Sequence, residues 1–488
     1  MKTPTVGTAF VFAFCLAVVL AAACGHEDKA PTTPEAAVTP TPTPTLMPSM
    51  TPEAPSVRFV PAEPPFFTGE ESSDPFAGER PGPTGWSVYL VRGDGQPELI
   101  SQTNRWVWDL QWAADGRTVM APFHSRTAAG LAWFSGIMFF DVAGPTVGTS
   151  ELVVEGTRLL YPSPDSSHLA LEVMPDDSRV AWDIYVTDRS RRGWKLEGLG
   201  DEVRLIGWLP DGSGLLVYTV EGPTIEEGLL YLVPLTDGPA TPVAPEVVEN
   251  YHVAWSPDGT RLAYVSDGDL HVFDRASGQS RPITSGAGYR FGRPKWSTDG
   301  SEVVLAGDLI DLATGAVVAS LVPPERSGDT ASALSADGRY FVATELCEGS
   351  YPQNRIHLYD REAGETRLLR DCDQMAVPRW LPDGHRLLLT APSCWGCETV
   401  SFSITSMDVE SGNVLPLTNG LEPHAAAYVS PDGSRLMVTG KALRLYTEDE
   451  QLVRELAVPE DFDVADAAWS PDGSSFIYVV GPAGFFLL

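Results

Sequence analysis

The chain has 488 residues and a formal net charge of −32, from 65 acidic and 33 basic residues. That length is large for one ordinary domain, although a repeat array can use it in a single closed unit. The acidic balance excludes a nucleic-acid-binding protein, because such proteins need a basic surface. An acidic surface favours solubility and would also attract Ca²⁺ or a basic partner.

Residues 1–23 are predicted to be an export signal. Lys2 gives a positive start, and residues 10–23 form an apolar run that is too short to span a bilayer. Residues 20–24 read Leu-Ala-Ala-Ala-Cys, which resembles the lipobox of bacterial lipoproteins, although the leucine stands four residues before the cysteine instead of three. The resemblance implies lipidation of Cys24 and an anchor on the outside of the bacterial cell membrane. Ordinary cleavage after the alanines is the alternative, and it would release a secreted protein.

Two segments without a core are predicted next. Residues 24–57 are rich in threonine and proline, a composition that favours extended polyproline II and predicts a disordered, lipid-anchored stalk. Residues 58–85 remain rich in proline and glycine and are predicted to be an irregular lead-in. The domain proper is expected at residues 86–488.

A five-residue turn motif then recurs nine times. Residues 255–259 and 469–473 read Trp-Ser-Pro-Asp-Gly, and successive turn aspartates are 38 to 50 residues apart. Serine, proline, aspartate and glycine suit successive positions of a tight turn between two strands, here named A and B. The aspartates are predicted to be structural; they are Asp115, Asp165, Asp211, Asp258, Asp299, Asp337, Asp383, Asp432 and Asp472. Ser166 replaces the glycine once, which predicts an irregular or externally supported turn.

The period predicts an all-β fold, namely a single closed β-propeller of four-stranded antiparallel blades. Each unit places a second hairpin, strands C and D, after strand B. Residues 86–101 look like strands C and D without a motif, and residues 464–481 look like strands A and B. The last blade is therefore predicted to be closed by strands from both termini, which removes free sheet edges. Eight and nine blades both remain open.

Residues 255–264 resemble the propeller repeat of TolB and of the prolyl-oligopeptidase and dipeptidyl-peptidase group. The resemblance covers about residues 86–488 and implies a TolB-like, WD40-like propeller. From this sequence no counterpart is expected for the α/β domain of TolB or for the hydrolase domain of the peptidases. The resemblance permits an envelope protein as partner.

No catalytic motif appears in the sequence. Gly-x-Ser-x-Gly, His-Glu-x-x-His, phosphate-binding and dinucleotide-binding patterns are all absent. We therefore predict a non-enzymatic protein with no catalytic residue, metal or cofactor. The alternative is a polysaccharide lyase or hydrolase on a propeller scaffold, with His252 and His424 in the central channel.

Four cysteines follow the predicted signal and Cys24. Cys347, Cys372, Cys394 and Cys397 fall in B–C loops or near a D–A passage of two neighbouring blades. Outside the cytoplasm an even number of cysteines indicates disulfides. The favoured pairs are Cys347–Cys372 and Cys394–Cys397, over other pairings and over a Cys₄ zinc site.

The B–C and D–A connections are expected to share one face of the propeller. Aromatic and arginine side chains on that face are typical of sites that bind a peptide, protein or glycan. The candidate binding residues are Trp106, Trp108, Trp133, Tyr251, His252, Tyr289, Arg290, Arg293, Arg379 and His424. In the competing interpretation, tryptophans at blade starts pack between blades.

Taken together, the sequence predicts a monomeric, membrane-anchored, extracytoplasmic binding module. Its partner would be an envelope protein, a peptide or a glycan, and not nucleic acid. A structural or sensory surface lipoprotein is the remaining alternative.

Overall fold

The computed structural model describes most of the chain from residue 55 onward. The described residues are 55–61, 85–103, 105–107, 109–126, 133–155, 157–173, 182–188, 192–200, 203–220, 227–244, 248–249, 253–289, 292–322, 331–347, 353–372, 375–392, 401–423 and 425–483. Within these ranges every regular element is a β-strand.

The strands form nine antiparallel sheets, counted over the described ranges. Each sheet is one blade with strands A to D in order from one edge to the other. Strand A is divided in blade 1, and blades 3 and 7 each carry one short additional strand, Val248–Glu249 and Glu422–Pro423. Gly238–Pro239 lies between strands C and D of blade 3 in the chain, but it belongs to the sheet of blade 2. Blades 1 to 4 contain the strands Trp106–Val107, Gln111–Trp112, Thr118–Arg126, Trp133–Asp141 and Gly148–Glu155; Thr157–Pro162, His168–Val173, Asp183–Asp188 and Gly193–Glu197; Val203–Trp208, Gly214–Val220, Glu227–Pro234, Gly238–Pro239, Thr241–Pro242 and Val248–Glu249; and Val253–Trp255, Arg261–Ser266, Asp269–Asp274 and Gln279–Pro282.

Blades 5 to 8 repeat the same order, and blade 9 takes its strands from both ends of the described chain. Their strands are Lys295–Trp296, Glu302–Leu305, Asp308–Asp311 and Val317–Ser320; Ser332–Leu334, Tyr340–Leu346, Asn354–Asp360 and Glu365–Arg370; Val377–Trp380, Arg386–Pro392, Ser401–Asp408, Val414–Pro416 and Glu422–Pro423; Ala427–Val429, Arg435–Val438, Ala442–Thr447 and Leu452–Ala457; and Phe462–Trp469, Ser475–Pro482, Trp86–Arg92 and Glu98–Thr103.

Blade 9 closes the ring as predicted. Trp86–Arg92 pairs with Ser475–Pro482, with Val88 opposite Val479 and Tyr89 opposite Tyr478. The two tyrosine rings stack with their centroids 5.1 Å apart. The prediction of a blade stitched from both termini is confirmed, and the open choice between eight and nine blades is resolved as nine over the described residues.

The N-terminal segment contributes a strand that the sequence did not predict. Ser56–Pro61 lies on the outer edge of blade 2, against Gly193–Glu197. This segment spans the end of the predicted stalk, residues 24–57, and the start of the predicted irregular lead-in, residues 58–85. Proline at both ends concealed the strand, although an edge strand tolerates proline where its missing N–H faces outward.

The repeated turn works as its residue types predicted. In all nine turns the aspartate Oδ1 accepts the backbone N–H of the residue two positions later, at 2.8 to 3.1 Å. In six turns the preceding serine hydroxyl also donates to that oxygen, at 2.5 to 2.7 Å. The hydroxyl of Ser256 lowers the pKa of Asp258 to about 2. The repeated aspartates are thus held by the turns themselves.

Eight turns have glycine in the left-handed region, and Ser166 adopts it in the remaining one. Ser166 has φ of 58°, close to the 64° to 79° of the glycines. The turn therefore keeps its regular shape, and its conformation costs on the order of 1 kcal/mol that a glycine would avoid. Asp165 beside it accepts from the Ser163 hydroxyl, which supports the turn from within.

Tryptophan at the end of strand A links neighbouring blades. Its indole N–H donates to a backbone carbonyl on strand A of the preceding blade in five described places. The pairs are Trp112–Ala468, Trp208–Tyr161, Trp296–Ala254, Trp380–Ala333 and Trp469–Tyr428, at 2.7 to 3.2 Å. These tryptophans at the ends of strands A therefore pack between blades.

Each blade interface also contains its own apolar cluster. Between blades 3 and 4, for example, Leu216 and Tyr218 pack with Leu262, Tyr264 and Phe273, all almost fully buried. Burial of such side chains is worth about 1.5 to 3 kcal/mol each. The interfaces therefore make the ring a rigid scaffold.

The turn glycines can be tested individually. Gly473 has φ of 70°, and a Cβ built there would make ordinary contact with Pro431 Cδ at 3.6 Å. We expect Gly473→Ala to lower the free energy of unfolding by about 1 kcal/mol, because the left-handed conformation is strained for alanine. Urea unfolding followed by tryptophan fluorescence measures the change. Gly473→Asn is the control and should cost less, since asparagine tolerates this conformation; equal losses would mean that backbone strain is not the cause.

Candidate functional site on the loop face

The two ends of the blades differ in regularity. All nine A–B connections contain five residues, as in residues 256–260 and 470–474. The B–C connections, by contrast, range from two residues, such as 267–268, to nine, at 174–182. In an antiparallel blade the B–C and D–A connections lie at the same end, opposite the A–B turns. We call that end the loop face, and it carries the variation in the molecule.

Five of the ten candidate binding residues lie on the described backbone, and their burial and contacts differ. Trp106, Trp133, Tyr289, Arg293 and Arg379 are on described backbone, while Trp108, Tyr251, His252, Arg290 and His424 lie outside the described residues. Trp133 begins strand C of blade 1, and its side chain is not described. The predicted channel histidines of the enzymatic alternative are therefore outside the described part.

Tyr289 is a packing residue. It is 6% exposed, its N–H donates to Gly268 O at 2.7 Å, and its hydroxyl donates to Asp308 Oδ2 at 2.8 Å. Burial and the neighbouring Asp308 carboxylate raise its pKa above the usual value. Tyr289 therefore joins blade 4 to blade 5 and does not present its ring to a ligand.

The remaining described candidates divide by exposure. Trp106 is half-buried against the cluster between blades 9 and 1. Arg379 Nη1 donates to Ala427 O of the next blade at 3.4 Å, and burial lowers its pKa. Arg293 is exposed in the connection between blades 4 and 5. Among the described candidates, Arg293 is thus the side chain best placed to meet a partner on the loop face.

A disulfide fixes part of this face. Cys347 and Cys372 are bonded, with their Cα atoms 6.0 Å apart and 25 positions apart in sequence. The bond ties the start of the B–C loop of blade 6 to the segment after its strand D. This predicted pair is confirmed. Cys394, Cys397 and Cys24 lie outside the described residues.

A charged cluster that the sequence did not reveal lies beside the disulfide. His357 Nε2 is 2.9 Å from Glu345 Oε2, and Arg355 Nη1 lies 3.4 Å from Glu345 Oε1. Arg355 Nε also donates to Asp371 Oδ1 at 2.9 Å, and the same oxygen accepts the N–H of Cys372. That amide and Arg355 lower the pKa of Asp371. In the sequence, the indication of this cluster was the alternation of Arg355 and His357 on a strand next to a loop that contains a cysteine.

A second group lies on strand A at the ring closure. Asp466 of blade 9 is 6% exposed and accepts three hydrogen bonds: from Leu110 N at 2.7 Å, from Ala467 N at 2.8 Å and from the Tyr428 hydroxyl at 2.7 Å. Leu110 belongs to blade 1 and Tyr428 to blade 8, so one carboxylate connects three blades. Burial raises the pKa of Asp466 to about 6, and the nearby Asp109 contributes. Sequence periodicity cannot show the contact with Leu110, because the two residues are 356 positions apart.

Two negative findings apply to the described residues. No group of three or more His, Cys, Asp or Glu side chains among them is arranged to hold a metal ion. In the same ranges, no helix is both long and apolar enough to cross a membrane.

Comparison with known families gives one match, to the N-terminal region of dipeptidyl peptidase IV (DPP IV), over residues 225–299. That stretch covers blade 4 and parts of blades 3 and 5. No curated protein sequence matches the chain.

Similar solved structures include a eukaryotic initiation factor, with 13% identity, a TM-score of 0.47 and coverage of 80% of this chain and 98% of that one. A putative TolB from Agrobacterium tumefaciens has 15% identity, a TM-score of 0.30 and coverage of 82% and 98%. The β-propeller domain of the Trilobed protease from Pyrococcus furiosus has 12% identity, a TM-score of 0.35 and coverage of 73% and 96%. These likenesses concern the fold alone. The described part of the chain is a nine-bladed β-propeller, which is the fold that the resemblance to TolB-like propellers implied.

Proposed function

We propose that this protein is an exported, lipid-anchored β-propeller that binds a protein, peptide or glycan through its loop face, without catalysing a reaction on it. The observation that carries the proposal is the contrast between the two ends of the blades. The A–B connections are uniform at five residues, whereas the B–C connections vary from two to nine. Variable loops on a rigid scaffold are the usual location of binding residues.

The disulfide supports this use of the loop face. A bond between Cys347 and Cys372 holds the B–C loop of blade 6 next to the D–A passage before a ligand arrives. Pre-ordering a loop lowers the conformational entropy lost on binding. The ion pairs of Arg355 with Glu345 and Asp371 place charges of both signs beside it.

Export and anchoring are supported separately. Disulfides persist mainly in oxidising compartments outside the cytoplasm. The apolar segment at residues 10–23 and the following Cys24 supply a signal and a lipid acceptor. Detergent partitioning of the full chain tests the anchor: Cys24→Ser should move the protein to the aqueous phase, and an unchanged distribution would contradict lipidation.

The binding proposal predicts a face-specific loss of affinity. Ligands are first sought for the Cys24→Ser chain by glycan and peptide arrays and by crosslinked pull-down from intact cells. Arg293→Glu, on the loop face, is then expected to weaken the captured interaction about tenfold, which corresponds to about 1.4 kcal/mol. The dissociation constant is measured by calorimetry.

Arg117→Glu is the matched control, because Arg117 is an exposed arginine in an A–B turn on the opposite face. Its affinity should match that of the parent chain. Equal losses in both variants would indicate a general charge effect. No ligand in any of the screens would favour the alternative of a structural or sensory surface protein.

A further inference from the structure

The outer edge of blade 2 carries a fifth strand from the N-terminal segment. We call Ser56–Pro61 the strap. Its residues pair antiparallel with strand D of blade 2, with Arg58 opposite Glu197 and Val60 opposite Lys195. The start of the strap also pairs with the short strand Gly238–Pro239 of blade 3. The strap therefore spans the junction of two blades.

Its side chains alternate between the core and the solvent. Val57 is fully buried and Phe59 is partly buried, both against the cluster shared by blades 2 and 3, while Arg58 and Val60 are exposed. Such alternation fixes the register of a strand, because a slip of one residue would turn the apolar side chains outward. The strap is thus seated in one specific position.

Hydrogen bonds hold both ends of the strap in place. Ala240 N donates to Pro55 O at 2.9 Å, and Phe59 N donates to Asp237 Oδ1 at 3.1 Å. Gly198 has φ of 104°, and a Cβ at that position would clash with Ser56 O. Glycine at position 198 therefore allows the backbone of the strap to approach the edge of blade 2 closely.

We propose that the strap is the attachment point of the N-terminal tether, and that its docking sets where the tether leaves the propeller and how long the tether is. This inference rests on the proposed anchor at Cys24. With the strap docked, the tether runs 31 positions from Cys24 to Pro55; with the strap released, it runs 61 positions from Cys24 to Gly85. At about 3.3 to 3.6 Å per residue the maximum reach rises from roughly 110 Å to roughly 210 Å.

Docking therefore has two consequences for an anchored molecule. It places the start of the described chain, where the tether ends, at the outer rim of the ring, at blades 2 and 3. It also halves the distance over which the loop face can search for a partner. Release of the strap would lengthen the tether without opening the ring, because Trp86–Arg92 remains paired in blade 9.

Crosslinking tests the docking in solution, with the Cys24→Ser chain. Arg58→Cys with Glu197→Cys places two thiols at directly paired positions, and oxidation should link them in most molecules, as read by peptide mapping. Arg58→Cys with Arg454→Cys is the control, because Arg454 lies on strand D of blade 8, another outer strand. Equal linkage in both pairs, or none in the first, would overturn the docking.

Force spectroscopy tests the control of tether length. The chain from residue 24 onward, with Cys24→Ser, is pulled between an N-terminal and a C-terminal handle. An early event should lengthen the contour by up to about 100 Å, from release of residues 55–85, before any blade unfolds. Val57→Asp should abolish that event and keep the later ones. An unchanged early event in Val57→Asp, or its absence in the parent chain, would overturn the inference.

These experiments are independent of the anchor and of ligand binding, because neither needs a membrane or a partner. A negative result from detergent partitioning would remove the proposed anchor and leave the docking result standing. If Val57→Asp does not fold, the crosslinking pair still decides whether the strap occupies this edge.

Discussion

Val88→Asp is expected to lower the free energy of unfolding by about 4 kcal/mol or more, because it places an unpaired carboxylate inside the closing blade. Val88 is fully buried and lies between its sheet partners Ser101 and Val479. It also packs with Trp86 and Val107 in the cluster between blades 9 and 1. The variant therefore weakens the pairing that joins the two ends of the chain. Urea unfolding followed by tryptophan fluorescence measures the loss.

Leu99→Asp is the matched control for that variant. Leu99 lies in strand D of the same blade and is 47% exposed, so the same charge can remain hydrated. Its effect should be within about 0.5 kcal/mol. A similar unfolding midpoint for Val88→Asp and the control would show that closure by the N-terminal strands contributes little to stability.

The regular part of the fold was predictable because its causes are local. Asp258 bonds to an amide two residues away, and Gly259 needs only the left-handed conformation of its own backbone. Such requirements recur wherever a blade turns, so nine copies of one motif indicated nine A–B hairpins. The pairing of Trp86–Arg92 with Ser475–Pro482 was also predictable, because one hairpin at each end lacked its complement.

The features that the sequence did not reveal depend on distant partners. The strap has a strand-like alternation of only a few residues between prolines, and its stability comes from Val57 in a cluster built by blades 2 and 3. Likewise, Tyr289 looked like a surface aromatic, but its partners Gly268 and Asp308 come from two different blades. The cysteine pair Cys347–Cys372 was predictable because both residues fall at the same end of one blade.

The loop face was predicted as a location but not as an arrangement of side chains. Because the A–B turns are regular, the sequence identified the opposite end of the blades as the variable one. The lengths of the B–C connections, from two to nine residues, support that prediction. Which side chains are exposed there depends on packing between blades, which residue type alone does not determine. Arg293 and Arg379 illustrate this, since Arg293 is exposed whereas Arg379 is half-buried against the next blade.

Asp466 gives the second large expected effect, a loss of stability as the pH rises. Its folded-state pKa of about 6 lies above the usual carboxyl value of 3.8, because burial disfavours the charged form. The folded state therefore binds this proton more tightly than the unfolded state does. The stabilising contribution is present at low pH and is lost as the pH rises from about 4 through 6. Between pH 4 and pH 7 the loss should be about 2 to 3 kcal/mol.

Asp466→Asn removes the ionisable group. The free energy of unfolding of the parent chain, relative to that of the variant, should therefore fall by about 2 to 3 kcal/mol from pH 4 to pH 7. Asp94→Asn is the control, since the Asp94 side chain is 91% exposed, and it should follow the parent chain. The other titratable groups around Asp466 are the Tyr428 hydroxyl and the Asp109 carboxyl. Burial raises the pKa of both groups above their usual values. Parallel pH profiles for the parent and Asp466→Asn would show that the carboxylate joining blades 8, 9 and 1 stays ionised, and that its three hydrogen bonds outweigh its burial.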